Sequence, residues 1–157
     1  MRSNKKIKPR TIQPDLKYQS LAIAKMVNKI MRHGKKELAK KILEQALERA
    51  EKQLKKPALE IFTVAISNAS PQVEVFSRRI GGATYQIPFD IRSERQETLA
   101  MRWLVEAAKK QKGRDMADAL TELLIATAKN EGAVIEKKMA LHKLAEANRA
   151  FAHFGRR

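Results

Sequence analysis

Apolar residues recur at helical spacing along most of this chain. Positions 23, 26, 27, 30 and 31 are all apolar, which predicts a first helix with Asp15 as its N-cap and Gly34 just beyond its end. A second helix is predicted from Lys36 to Leu54. Its apolar stripe consists of Ala39, Ile42, Leu43, Ala46, Leu47 and Ala50.

Four further helices follow from the same pattern. Pro57 fits the first position of a third helix that is apolar on nearly every side, so we expect that helix at the centre of the domain. A fourth helix is predicted over Ser93–Lys110, and Asp115 can cap a fifth, which Gly132 ends. The sixth is predicted over Glu136–Phe151. The inward residues are predicted to be Leu99, Ala100, Trp103, Leu104 and Ala107, then Met116, Leu120, Leu123, Leu124 and Thr127, then Leu141, Leu144, Ala145 and Phe151.

One segment, about residues 73–88, alternates between apolar and polar positions and predicts a β-hairpin. Gly81–Gly82 would form a two-residue turn, because both central residues of a type I′ turn need a positive φ. This turn places Ile80 opposite Ala83 and Arg78 opposite Tyr85, where the guanidinium can lie on the ring. A lone hairpin is marginal in water, so we expect it to pack on a partner surface.

Together these elements predict a mainly α protein: a single domain of about six helices with a protruding β-hairpin between the third and fourth helices. The helical domain would span residues 15–157, with the hairpin arm at about 73–88 and a basic arm at 1–14 before it. Hydrophobic residues make up 43% of the 157, enough for a core, and no internal repeat is visible.

Charge narrows the class of partner. The formal net charge is +16, and the first 56 residues hold 17 basic and 5 acidic residues. Such a balance favours a polyanion as partner. Without cysteine the chain can form no disulfide or thiolate zinc site, and no apolar run approaches the ~20 residues of a membrane span. We therefore expect an intracellular protein with neither a membrane partner nor a homo-oligomeric state.

The basic residues form separate clusters. Residues 1–14 contain no acid, and they are typical of an arm that binds an anion, the alternative being a solubilising tail. Lys35 and Lys36 stand where the helix dipole disfavours cations, which an external phosphate would offset. Arginine offers a planar fork for phosphate, and several clusters on a small domain favour a folded RNA over duplex DNA. The candidate binding residues are Arg2, Lys5, Lys6, Lys8, Arg10, Lys35, Lys36, Arg78, Arg79, Arg92, Arg95, Arg102, Arg114, Lys137 and Lys138.

No catalytic, metal or cofactor site is predicted. The three histidines lack metal-ligand spacing, and no glycine-rich phosphate loop of the Walker or dinucleotide type occurs. Carboxylates three residues apart, such as Glu94 and Glu97, are better explained as acids near helix starts. The sequence therefore indicates binding rather than catalysis.

Several motifs resemble the bacterial-type small-subunit ribosomal protein seven family, in the same order over nearly the whole chain. They are Asp15–Tyr18, His33–Lys36, Val73–Val75, Ser77–Pro88, Ala100–Leu104 and Met139–Phe154. Two departures stand out: Lys137–His142 lacks the usual acid, and the chain ends Phe154-Gly-Arg-Arg. A Phe at that place is more similar to plastid members, so a plastid or other organelle stays open beside a bacterial cytoplasm.

The resemblance implies a ribosomal role without enzymatic activity. It implies direct binding to the 3′ major domain of small-subunit ribosomal RNA, nucleation of head assembly, and neighbours among small-subunit proteins nine and eleven. It also implies that the hairpin, with Arg78, Arg79, Gly81, Gly82 and Tyr85, faces mRNA at its exit path and the exit-site tRNA. Two other hypotheses remain: an architectural DNA-binding protein with a β-arm, and an RNA-modifying enzyme, for which cofactor and metal motifs are missing.

Overall fold

The computed structural model describes residues 11–155, which fold into six α-helices, one β-hairpin and a 3₁₀ helix. The basic residues at 2–10, which belong to the predicted arm, lie outside this range. In chain order the elements are α1 Leu21–Ile30, α2 Lys36–Leu54, α3 Ala58–Ala69, β1 Val73–Ile80, β2 Ala83–Asp90, α4 Ser93–Lys110, α5 Met116–Ala128, α6 Ala133–Ala147 and the 3₁₀ helix Arg149–Gly155. The mainly α fold with a hairpin between the third and fourth helices is confirmed.

The core is one apolar cluster to which all six α-helices contribute. The predicted bounds of α2 and α4 are confirmed, and so is the Asp115 cap, whose Oδ1 accepts from the Met116 N–H at 2.8 Å. Helix α3 packs against α2, α4, α5 and α6, as its apolar composition indicated. It is not buried on every side, however, because Leu59 and Val64 are 41% and 39% exposed.

The start of α1 was predicted wrongly. The Asp15 carboxylate accepts from the N–H groups of Lys17 at 3.0 Å and Tyr18 at 3.3 Å, which closes a turn before the helix instead of capping it. Helix α1 begins at Leu21 and already ends at Ile30, where extended backbone follows. Gly34 therefore belongs to the later turn that leads into α2.

Helix α6 also differs from its prediction. It begins three residues earlier, at Ala133, with Gly132 as N-cap. Val134 and Ile135 in its first turn are buried, so this turn packs into the core. It ends at Ala147, and the 3₁₀ helix takes over the segment that contains Phe151. Leu144 is 45% exposed, contrary to prediction, because the side of α6 that carries Val134 and Ala145 packs inward.

The hairpin has the predicted register and is two residues longer at its base. Ile80 faces Ala83 and Arg78 faces Tyr85, and the pairing continues to Val73 and Asp90. At the base, Ile87 is fully buried and the strands contact α6. The hairpin thus begins as part of the helical body and extends from it towards an exposed Gly81–Gly82 tip.

Candidate nucleic-acid interface

A groove opens beside the turn between α1 and α2. His33 and Gly34 have φ of 50° and 73°, and this reversal lets the Lys35 N–H donate to the Arg32 carbonyl at 3.0 Å. The cations Arg32, Lys35 and Lys109 line the groove, which has a volume of about 360 Å³. Its remaining lining is largely apolar: Ile30, Leu38, Ala39, Ile42 and Met116, with His33. We call it the turn groove.

The start of α2 adds a second attraction for anions at this place. No side chain caps its first turn, so the positive end of the helix dipole is left to solvent or a ligand. Lys35 is the N-cap and Lys36 follows it, both exposed, while Glu37 offsets part of their charge. This arrangement fits the phosphate contact predicted for Lys35 and Lys36.

Sequence reasoning missed Arg32 and Lys109 at the turn groove. Arg32 could have been found, since it lies three residues before Lys35 in the same charged segment. Lys109 lies 74 positions further along the chain than Lys35 and reaches the groove only because α4 ends beside the α1–α2 turn.

At the hairpin tip, Gly81 and Gly82 have φ of 56° and 91°, the pair of positive values that a type I′ turn requires. Arg79 is exposed beside the tip and has no ion-pair or hydrogen-bond partner among residues 11–155. The tip is therefore open to a ligand.

Lower on the hairpin, Tyr85 packs against the 3₁₀ helix. Its ring centroid lies 5.0 Å from that of Phe151 and 5.8 Å from that of Phe154. Arg78 faces Tyr85 in the register, but its guanidinium donates to the Phe154 carbonyl at 3.0 Å instead of lying on the ring. Tyr85 thus fastens the hairpin to the body, and the expected stacking of Arg78 is replaced by this hydrogen bond.

A line of cations runs along α4. Arg95, Arg102 and Lys109 are exposed and seven residues apart, so they lie on one side of the helix. At 1.5 Å per residue the line extends roughly 21 Å. We call it the α4 stripe; it connects the turn groove, which Lys109 lines, with the base of the hairpin, where Arg95 pairs with Glu74.

Five of the predicted cations have partners within the protein, one of them being Arg78 with its hydrogen bond to the Phe154 carbonyl. Both carboxylate oxygens of Glu74 accept from Arg95, at 2.8 and 3.2 Å, and this bonding raises the pKa of Arg95 above its usual value. Lys138 donates to the Asn68 carbonyl at 2.7 Å. The other two pairs are Arg114 with Glu122 and Lys137 with Glu106, Lys137 also lying over the Trp103 ring.

A phosphate would have to compete with these partners, although the Arg114–Glu122 and Lys137–Glu106 pairs are exposed and individually weak. The predicted cations without an ion-pair or hydrogen-bond partner among residues 11–155 are Lys35, Lys36, Arg79, Arg92 and Arg102.

Residues 11–155 offer neither a metal site nor a membrane span. No three His, Asp or Glu side chains gather there in a way that could hold a metal ion. None of the helices in that range has the length and apolar character to cross a membrane.

Comparison with known proteins decides the family. Residues 1–149 match the model of the family described as ribosomal protein S7p/S5e. The chain belongs to this ribosomal protein family. Proteins named small ribosomal subunit protein uS7 are 49% identical in Chloroflexus aggregans and 47% identical in Roseiflexus sp., each over 150 residues and 96% of both chains. The uS7 protein of Fervidobacterium nodosum is 46% identical over 96% of this chain and 97% of its own.

Membership in the S7p/S5e family confirms the predicted resemblance and the absence of an enzymatic role. The protein is a structural component of the small ribosomal subunit. These relatives are bacterial, which agrees with the predicted place on a cytoplasmic ribosome.

Proposed function

We propose that this S7p/S5e protein binds the 3′ major domain of small-subunit ribosomal RNA directly and nucleates assembly of the subunit head. Its hairpin tip then faces the mRNA exit path and the exit-site tRNA, and small-subunit proteins nine and eleven are its neighbours. Family membership supports the ribosomal setting, and the resemblance of its motifs supports these finer assignments.

The observation that carries direct RNA binding is the α4 stripe. Arg102, at its middle, is exposed and has no ion-pair or hydrogen-bond partner among residues 11–155. With the turn groove at one end and the hairpin at the other, cations on three separate elements can meet several strands of one folded RNA. Duplex DNA is more often bound by a single recognition helix within a dimer.

The test is binding of the purified protein to the isolated, protein-free 3′ major domain, measured over a series of salt concentrations. Arg102→Gln should weaken binding and reduce the slope of log affinity against log salt by about 0.7 to 0.9, because the variant can no longer neutralise one phosphate. Lys56→Gln is the matched control, since Lys56 is exposed in the link between α2 and α3, past the end of α2 opposite to Lys36.

The control should bind as the unchanged protein does. Equal affinity of the unchanged protein for random duplex DNA and for the ribosomal RNA domain at one salt concentration would overturn the proposal.

A further inference from the structure

Two phenylalanines meet at the base of the hairpin on the side of α4. Phe76 on β1 and Phe89 on β2 have ring centroids 5.6 Å apart at an interplanar angle of 73°, an edge-to-face pair. Phe76 nevertheless remains 48% exposed. The two rings line a cleft of about 520 Å³ between the hairpin and the start of α4, which we call the hairpin cleft.

An exposed apolar side chain is ordinary by itself. Two features distinguish Phe76. Its ring is held in place by Phe89 and does not simply project into solvent. Three arginines also line the same cleft, Arg78, Arg92 and Arg95, so the exposed aromatic surface is surrounded by planar cations.

The charge balance of the hairpin cleft is positive. Glu74 and Asp90 also line it, but both oxygens of Glu74 are taken by Arg95, so this pair is neutral. One N–H group of the Arg78 guanidinium donates to the Phe154 carbonyl, and its other N–H groups remain available to a ligand. Arg92 is exposed, with no ion-pair or hydrogen-bond partner in residues 11–155. The positive charges of Arg78 and Arg92 therefore exceed the single negative charge of Asp90.

We propose that the hairpin cleft binds an unpaired nucleotide of RNA, with the base stacked on Phe76 and a neighbouring phosphate held by Arg92. This rests on the proposed RNA-binding function and adds a site for a single-stranded segment to it. A flat aromatic surface beside arginines suits splayed-out bases, which stack on aromatic rings and guanidinium planes. An apolar side chain of a neighbouring protein would fill the cleft but would leave the surplus positive charge unmatched.

The test uses the full chain and a short unstructured RNA that carries one fluorescent adenine analogue. Four variants are compared with the unchanged protein: Phe76→Ala, Phe76→Trp, Arg92→Gln and Leu144→Ala. Leu144 is the matched control, because it is 45% exposed on α6 and does not line the cleft. Circular dichroism of each variant checks that the fold is retained.

Phe76→Ala should weaken binding by roughly five-fold or more, the effect of losing one stacked base, and should reduce quenching of the analogue. The salt dependence should stay unchanged, because no phosphate contact is removed. Phe76→Trp should restore both affinity and quenching. Arg92→Gln should instead lower the salt slope by about 0.7, and Leu144→Ala should change neither quantity.

A second strand with abasic sites isolates the contact between ring and base. The unchanged protein should bind it more weakly than the intact strand, and Phe76→Ala should bind it no worse than the unchanged protein does. This measurement stays informative even if Phe76→Ala fails to fold, because the loss of affinity on removing the bases is measured with the unchanged protein.

The results separate the two proposals. If the unchanged protein binds neither this RNA nor the ribosomal RNA domain, the proposed function fails and the hairpin-cleft site fails with it. If it binds both but Phe76→Ala matches it on the intact strand, the hairpin-cleft site alone is overturned. The site is likewise overturned if Phe76→Ala weakens only the association with another ribosomal protein, which would then be the occupant.

Discussion

At the scale of single residues, His142 makes a contact that depends on its protonation. Its Nε2 accepts from the backbone N–H of Gln72 at 3.2 Å, which joins α6 to the segment just before β1. An accepting ring nitrogen must be unprotonated. Burial lowers the pKa of His142 below its usual 6.5, and the positive charge of Lys138 lowers it further.

A pH dependence of stability follows from this contact. As the pH falls below 6.5, His142 becomes protonated in the unfolded chain but remains neutral in the folded protein. The free energy of unfolding therefore decreases. The decrease stops once the pH passes the lower pKa of the folded state. Denaturant unfolding at successive pH values should show this loss in the unchanged protein and a flatter dependence in His142→Gln.

The carboxylates of Asp90 and Glu146, which line the same groove as His142, are present in both proteins. Their effect cancels in the difference between the two curves. Identical curves for the two proteins would contradict the role given to His142.

Single residues also show the limit of what the sequence predicts. Lys35, Arg79 and Arg102, which were predicted to bind RNA, are exposed. The ion pair of Arg95 could not be predicted, because its partner Glu74 lies 21 positions away. The two residues meet only after the hairpin folds back beside α4. Position along the chain therefore located the cations without showing which were already paired.

At the scale of elements, local chemistry decided which predictions succeeded. The Gly81–Gly82 turn sets the hairpin register by itself, since only a two-residue turn brings Ile80 opposite Ala83. The bounds of α6 depend on distant packing instead: its inner side is chosen by the hairpin and α4, so Leu144 faces solvent despite its apolar side chain. In α6, packing against neighbouring elements decides which apolar side chains are buried.

The anchoring of the hairpin on the 3₁₀ helix gives a prediction at this scale. Tyr85→Ala removes the ring that contacts Phe151 and Phe154, so the hairpin should open more often while α3 and α5 stay protected. Hydrogen exchange should be faster at β1 and β2 amides. Arg79→Ala is the control, because it alters the same hairpin without touching the aromatic contacts, and its exchange pattern should be unchanged.

Uniformly faster exchange in Tyr85→Ala, including α3 and α5, would show instead that the hairpin and the core open as one unit. The predicted independence of the hairpin would then be wrong.

At the scale of the whole molecule, basic residues are concentrated in the first third of the chain, and a shorter row of them forms the α4 stripe. The first 56 residues carry 17 basic residues, and five of these fall within residues 2–10, a segment without acids. In the described part of the chain, the α4 stripe links Arg32 and Lys35 of the turn groove with Arg78 and Arg92 of the hairpin cleft. The sequence showed the amount of charge, but only the fold shows that Lys109 and Arg32 share a groove.

Removal of residues 1–10 should therefore weaken binding to the 3′ major domain and reduce its salt slope by about 0.7 to 0.9 for each phosphate that the arm neutralises, with five cations as the upper limit. Combining the deletion with Arg102→Gln tests whether the arm and the α4 stripe act separately, because effects at independent sites add. Additive slopes would mean two separate sets of phosphates, whereas a combined effect smaller than the sum would mean that both bind the same ones. An unchanged slope after the deletion would show that residues 1–10 bind no phosphate, leaving the turn groove and the α4 stripe as the anchors on RNA.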